Sequence, residues 1–216
     1  MMKNILLLLL FLAMFSCKKE VKTELEIYSN DFESGNLVNM TGGILELYNG
    51  SHVLGRYNNA SFELNLQNLP KHQLVEISFD LYIHDSWDGN LSGDFGRNGP
   101  DIWKLLVDGD SYINTTFSNS DCGTDIFCNP QSYPSNYINN NNNPKSGATD
   151  KLLPGVCHRA TEIGGTTLYK IRKVVNHTAN SISIKCLDQL VQTNSDDPKC
   201  DESWSVDNIK VNAINL

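Results

Sequence analysis

From Leu74 to His84 the chain alternates strictly. Val75, Ile77, Phe79, Leu81 and Ile83 are apolar, and Glu76, Ser78, Asp80, Tyr82 and His84 stand between them. A two-residue period over this length predicts a half-buried antiparallel strand. The same pattern recurs in SFELNL (61–66), with Phe62, Leu64 and Leu66 inward, and in WKLLVDG (103–109), with Trp103, Leu105 and Val107 inward. SISIKC (181–186) places Ile182, Ile184 and Cys186 on one face. ILELY, YINTTF, TLYKIRKVV and VDNIKV are further candidates, and Asn49-Gly50, Asn68–Pro70, Asp108-Gly109 and Gly164-Gly165 supply turns between strands. No segment beyond the N-terminus carries a helical period. Many short strands without helices predict an all-β, two-sheet antiparallel β-sandwich of the jelly-roll kind.

Residues 119–160 break this rhythm. They hold Cys122, Cys128 and Cys157, four prolines, and the run NNNNN at 139–143, with too few aliphatic residues for a core of their own. A structureless stretch of this length is uncommon unless functional or tied down. The expectation is one long insertion, held by disulfide, in a single domain spanning 25–216.

The N-terminus changes the picture of where the chain resides. Lys3 precedes the unbroken apolar run Ile5–Phe15, and Ser16-Cys17-Lys18-Lys19-Glu20 follows it. The run falls short of the about 20 residues that span a bilayer but suits the apolar core of an export signal. A small residue before a cysteine, with charge directly after, resembles a bacterial lipoprotein signal. Phe15 and Met14 depart from its usual smaller residue and leucine. That resemblance implies cleavage after residue 16, acylation of Cys17 and a short tether over 17–24. The Cys-Lys-Lys-Glu start is similar to lipoproteins of the Bacteroidetes, which places the chain in the cell envelope on the outer membrane, facing the periplasm or the exterior. A plain cleaved signal is the alternative.

Removing residues 1–16 takes away Lys3 alone, so the net charge moves from -8 to -9. An acidic chain with no Lys/Arg stripe repels phosphates, which excludes nucleic acid as a partner. Apart from Cys17 there are Cys122, Cys128, Cys157, Cys186 and Cys200, an odd number, so at most two bridges form. Short loops favour Cys122–Cys128 and Cys186–Cys200 with Cys157 left over, although Cys157 is able to pair with any of the others. Without a Cys-x-x-Cys pair, structural zinc is not expected.

Two short segments carry a second resemblance. Asn30-Asp31-Phe32-Glu33-Ser34-Gly35 near the start and Ser205-Val206-Asp207-Asn208-Ile209-Lys210-Val211 near the end look like the opening and closing strands of calcium-containing jelly-roll carbohydrate-binding modules and related galactose-binding-like domains. The resemblance implies that first and last strands lie together and share a structural calcium ion, here through Glu33 and Asp207. The pattern of residues agrees: in a regular strand Asp207 shares parity with Ile209 and Val211, and an inward carboxylate needs compensation. Asp207 capping a turn or pairing with a lysine is the simpler account.

The stretch HDSWDGNLSGDFGRNGPDIW (84–103) offers Asp85, Asp88, Asn90 and Asp101 as oxygen ligands for a second calcium, with Asp94 nearby. It lacks the ladder of an EF-hand, and a solvated loop of Asx-turns is the alternative. Trp87 in this loop and Tyr82 on the strand feeding it form a candidate sugar-stacking platform, unless Trp87 folds back over the sandwich end. Trp103 falls in phase with the core, and Trp204 suits either role. His84 beside Asp85 reads as a surface pair.

Motifs of the common hydrolases are missing. No His-Glu-x-x-His, Gly-x-Ser-x-Gly, phosphate loop or Glu-x-Asp-x-x-Glu array occurs, although Asp80 with Asp85 or Glu76 supplies two carboxylates of the kind a glycosidase needs. The expectation is therefore a lipid-anchored, calcium-stabilised module that binds a glycan and does no chemistry. A cell-surface adhesion or assembly module with a protein partner is the second class, and a polysaccharide-acting enzyme the third.

Overall fold

The computed structural model describes residues 21–92, 99–120, 122–123, 128–193 and 195–216, so the signal, Cys17 and Asp94 lie outside the described residues. Strands β1 (Thr23–Asn30), β2 (Met40–Thr41), β3 (Leu45–Tyr48), β4 (Ser51–Tyr57), β5 (Ser61–Gln67) and β6 (Leu74–Asp85) form the first half. β7 (Ile102–Val107), β8 (Asp110–Thr116), β9 (Asp150–Pro154), β10 (Ile163–Asn176), β11 (Ser181–Gln189) and β12 (Glu202–Asn215) form the second, with one short helix, α1 (Pro198–Asp201), before β12. Two antiparallel sheets result. One has the order β3-β4-β12-β6-β10-β9, with β1 also pairing β12, and the other the order β2-β5-β11-β7-β8.

The predicted alternation is what closes the sandwich. Val75, Ile77, Leu81 and Ile83 of β6 are fully buried, and so are Leu64 of β5 and Trp103 and Leu105 of β7. Trp103 and Trp204 meet edge to face at 5.9 Å across the core, and Tyr57 lies 4.8 Å from Trp204. Such aromatic pairs add stability beyond the area they bury.

β12 is the strand that departs most from its pattern. It pairs β6 continuously from Glu202 to Asp207, then slips by a bulge before Lys210, with Asn208 at φ 54. A bulge inserts an extra residue and inverts the parity beyond it. Val206 therefore faces Leu81 in the core, whereas Asp207 stands opposite Asp80 on the other face. Asp207 does not share a face with Val211, contrary to the regular-strand expectation.

The disulfides also differ from expectation in part. Cys122–Cys128 forms, but the second bridge is Cys157–Cys200, and Cys186 is free and buried. The reason is register. Cys186 sits inside β11 opposite Phe62 and Leu105, on the core face, where no strand-end cysteine reaches it. Cys200 in α1 lies at the end of the sandwich instead, and Cys157, in the insertion, comes to it there.

Candidate functional site

The loop after β6, the insertion after β8 and the start of β12 converge on one end of the sandwich. Asp85 ends β6 at φ 64 and is fully buried. Its Oδ1 accepts from the backbone N–H of Val156 at 3.1 Å and of Arg159 at 3.0 Å. Burial pushes its carboxyl above the usual range, and those N–H groups pull the other way. Asn90 is equally occupied: Nδ2 donates to the Asn140 carbonyl at 2.7 Å, and Oδ1 accepts from Ser132 Oγ at 2.9 Å and from Thr116 Oγ1. These two residues tie the insertion to the sandwich. Asp85 Oδ1 and the Asn90 amide, both expected as cation ligands with Asp88 and Asp101, are thus already engaged by the insertion.

Asn119 completes this frame. Its Nδ2 donates to the carbonyls of Ile83 at 2.9 Å and Asp85 at 3.0 Å, and Arg159 Nη1 donates to the Asn119 carbonyl at 3.1 Å. Gln131, also buried, accepts at Oε1 from the N–H of Ser118 and Lys145. Amides satisfy buried backbone groups that irregular loops leave unpaired.

Asp88 and Asp101 remain together. Asp101 is fully buried and its Oδ2 accepts from Asp88 N at 2.5 Å. Beside them stands a residue the sequence reading missed, Glu202. It is fully buried at the first position of β12, opposite Asp85. Burial pushes the Glu202 carboxyl well up, and the charges of Asp101, Asp88, Asp201 and Asp188 push it further. Burial likewise raises Asp101, and Asp88 is raised to about 6 by burial and by the Asp201 charge. The signal was present in the sequence: Glu202, Trp204 and Val206 share one parity, an acid in phase with two core residues.

At the other candidate ion site, Asp207 is 5% exposed and its carboxyl is raised to about 6, by burial first and then by the charges of Asp80, Glu33 and Asp31. Asp80 is compensated by Lys170 Nζ at 3.0 Å and by Asn208 Nδ2 at 3.1 Å. Glu33 is exposed and accepts from Ser51 Oγ at 2.5 Å and from His52 N at 2.9 Å, bonds that hold its carboxyl below the ordinary value. Among the described residues, no group of three or more His, Cys, Asp or Glu side chains is placed to hold a metal ion by itself.

The aromatics separate. Trp87 is fully buried, donates from Nε1 to the Ser203 carbonyl at 2.9 Å and packs on Phe117, so it offers no open ring face and is not the stacking platform expected. Tyr82 is half-buried, stacked 6.1 Å from the ring of His84, with Tyr48 edge-on at 5.4 Å. His84 itself is no surface residue. It is fully buried between Thr166 Oγ1 at 2.9 Å and Ser205 Oγ at 2.7 Å, and burial pushes its imidazole down to about 3.

Over the edge of Trp87 lies a cavity of about 220 Å³ lined by Ser86, Asp88, Asn119, Ser120, Asn129 and Arg159. Asn129 Nδ2 donates to Asp88 Oδ1 at 3.0 Å at its wall. Hydroxyl, amide, carboxylate and guanidinium groups thus converge on one small space.

No protein-family model matches this sequence, and no curated protein matches it either. Solved structures do resemble the chain in shape. A family 35 carbohydrate-binding module from Clostridium thermocellum aligns at 12% identity and TM-score 0.39, covering 88% of this chain and 97% of that one. The mannan-recognising module TmCBM27 aligns at 10% identity and TM-score 0.38, covering 88% and 98%. The xylan-binding domain CBM22-2 of Xyn10C from Paenibacillus barcinonensis aligns at 14% identity and TM-score 0.35, covering 86% and 98%.

Proposed function

We propose that this chain is an exported, lipid-anchored binding module that takes a glycan at the end of the sandwich and does no chemistry on it. The observation carrying the proposal is the cavity above Trp87. Sugar hydroxyls are recognised by convergent amides, carboxylates and hydroxyls in a concave site, and Asp88, Asn129 and Ser120 supply these. Tyr82, on the outer face of β6 and not among the residues lining this cavity, marks the alternative site, where a sugar ring would stack on the sheet face.

The anchor rests on Ser16-Cys17 and the apolar run before it. Acylation at Cys17 would contribute about 0.8 kcal/mol per buried methylene, enough with several chains to hold a domain at a membrane. Calcium at the rim rests on Asp207, a nearly buried carboxylate among the charges of Asp80, Glu33 and Asp31. A hard cation relieves such a group with help from carbonyls and water.

A glycan array probed with the purified protein tests the ligand, with Asn129→Ala and Tyr82→Ala beside the wild type. Binding abolished by Asn129→Ala and kept by Tyr82→Ala is the expected result. Loss on Tyr82→Ala alone moves the site to the sheet face. Saturable binding to an envelope protein with no glycan signal replaces the proposal with a protein partner. Turnover of a polysaccharide makes the chain an enzyme.

A further inference from the structure

At the start of β12 the sandwich buries two acids with oxygens that nothing satisfies. Asp101 and Glu202 are both fully buried, yet among the described residues Asp101 Oδ1 and Glu202 Oε2 have no hydrogen-bond partner. Gln192 bridges to the same place, donating from Nε2 to Glu202 Oε1 at 3.1 Å while its own Oε1 is buried and unpartnered. Ser203 Oγ, one residue on, is a further buried oxygen without a partner among the described residues. The charges of Asp101, Asp88, Asp201 and Asp188 act on Glu202, and that of Asp88 acts on Asp101. Among the described residues, no Lys, Arg or His stands among the groups acting on either carboxylate. Against the burial stand the backbone N–H groups of Asp88, Gly89 and Val191 on Asp101 and the Gln192 amide on Glu202.

Leaving a buried carboxylate oxygen unpaired is expensive, and two mutually repelling ones more so. The unpartnered atoms share one chemistry: they are oxygens, lacking a positive partner. A hard divalent cation satisfies this set. Calcium accepts six to eight oxygens in irregular geometry. Two carboxylates and an amide oxygen leave room for backbone carbonyls, a hydroxyl and water, so a cluster of three acidic ligands is not required.

We infer that Asp101 and Glu202, with the Gln192 carbonyl oxygen, hold a divalent cation of the calcium type between the loop before β7 and the first residue of β12. Position gives this ion its role. Glu202 follows directly on α1 and its disulfide to the insertion, Asp101 precedes β7, and Asp88 of the cavity wall is tied to Asp101 through its own N–H. An ion here clamps one strand of each sheet and sets the wall of the cavity. The inference does not depend on a glycan ligand, nor on an ion at Asp207, which lies on the opposite side of the β12 backbone from Val206.

The test uses the full chain carrying Glu33→Gln and Asp207→Asn, which removes the rim candidates. After chelator treatment and dialysis, calcium is titrated by calorimetry and terbium by its emission on tryptophan excitation, Trp87 and Trp204 being next to the proposed ligands. One remaining cation per chain is expected, with terbium emission. Adding Glu202→Gln weakens calcium at least about tenfold, because a charged ligand is lost. The melts separate the ion from a mere acid pair. In chelator, Glu202→Gln should melt above its parent, since repulsion is relieved; in calcium, the parent should melt higher. Asp101→Asn must repeat that reversal. No cation retained by the rim double variant overturns the inference, and so does a Glu202→Gln protein that melts higher in both conditions, which would mean that Asp101 and Glu202 simply share a proton.

Discussion

His84 and Asp85 occupy adjacent positions and illustrate what alternation alone conceals. His84 lies in the polar phase of β6, but the sheet that β10 and β12 complete around it leaves it no solvent. Threonine and serine hydroxyls bond its two ring nitrogens, and burial, with the Arg56 charge, holds it neutral. Its folded-state value, near 3, lies below the ordinary 6.5, so the unfolded chain binds the proton first. Stability that depends on the neutral ring is therefore present above about 6.5 and lost as pH falls below it, by about 1.4 kcal/mol per pH unit. Urea melts between pH 7 and pH 4.5 on wild type and His84→Gln should show this slope flattened in the variant. Equal slopes would mean that water reaches the ring.

Asp85 depends on a glycine far from it in sequence. A Cβ on Gly155 would stand 2.7 Å from Asp85 Oδ1 and closer still to the Arg159 carbonyl oxygen, which is backbone and cannot swing aside. Gly155→Ala should destabilise by about 1–3 kcal/mol, the usual range for overpacking. A denaturant melt checks it, and an unchanged midpoint would show that the 155–159 turn is free to shift.

Among the elements, the strands with clean alternation were the ones legible from sequence: β5, β6, β7 and β11 run almost as their patterns predict. β4 was not, because Val53, Leu54 and Gly55 are buried consecutively and no period of two survives there. β1 was not, because it is mostly exposed and so carries little apolar signal. The bulge at Asp207–Lys210 defeated parity in a different way, since one extra residue inverts the face without any mark in the hydrophobic pattern. The two acids of β12 thus exchanged roles. The acid buried in phase with the core is Glu202, and the one on the far face is Asp207.

The insertion was legible as a tied excursion, but its staple was not, since chain separation says little about which ends a sheet brings together. Cys157–Cys200 closes a separation of 43 residues and Cys122–Cys128 one of 6. If the constraint acts mainly on the unfolded chain, the longer loop stabilises more. Replacing Cys157 and Cys200 together by serine should cost about 2–4 kcal/mol, and replacing Cys122 and Cys128 less. Melts of both double variants under non-reducing conditions decide the order. A reversed order would place the main effect in the native state, in how each bridge packs the insertion.

At the scale of the whole molecule, the first and last strands close the sandwich: β1 runs antiparallel to β12 from Thr23↔Asn215 to Asn30↔Ile209. Just past that pairing the chain brings Asp31 and Glu33 toward Asp207, which already faces Asp80. Like charges opposite one another across a sheet destabilise it. Because the folded value of Asp207, about 6, lies above its ordinary 3.8, the ionised form burdens the fold. Stability on this account is complete below about 3.8 and declines as pH rises through about 6. Asp207→Asn removes the burden, and comparing it with wild type cancels the opposite slope from His84. In chelator at pH 7 the variant should melt higher than wild type, and the gap should close as pH falls through 6 and vanish below 3.8. In calcium at pH 7 the order should reverse if the rim holds an ion, because wild type alone keeps its ligand. A gap that ignores pH would mean that the Asp207 carboxylate is solvated and that the chain ends are joined by strand pairing alone.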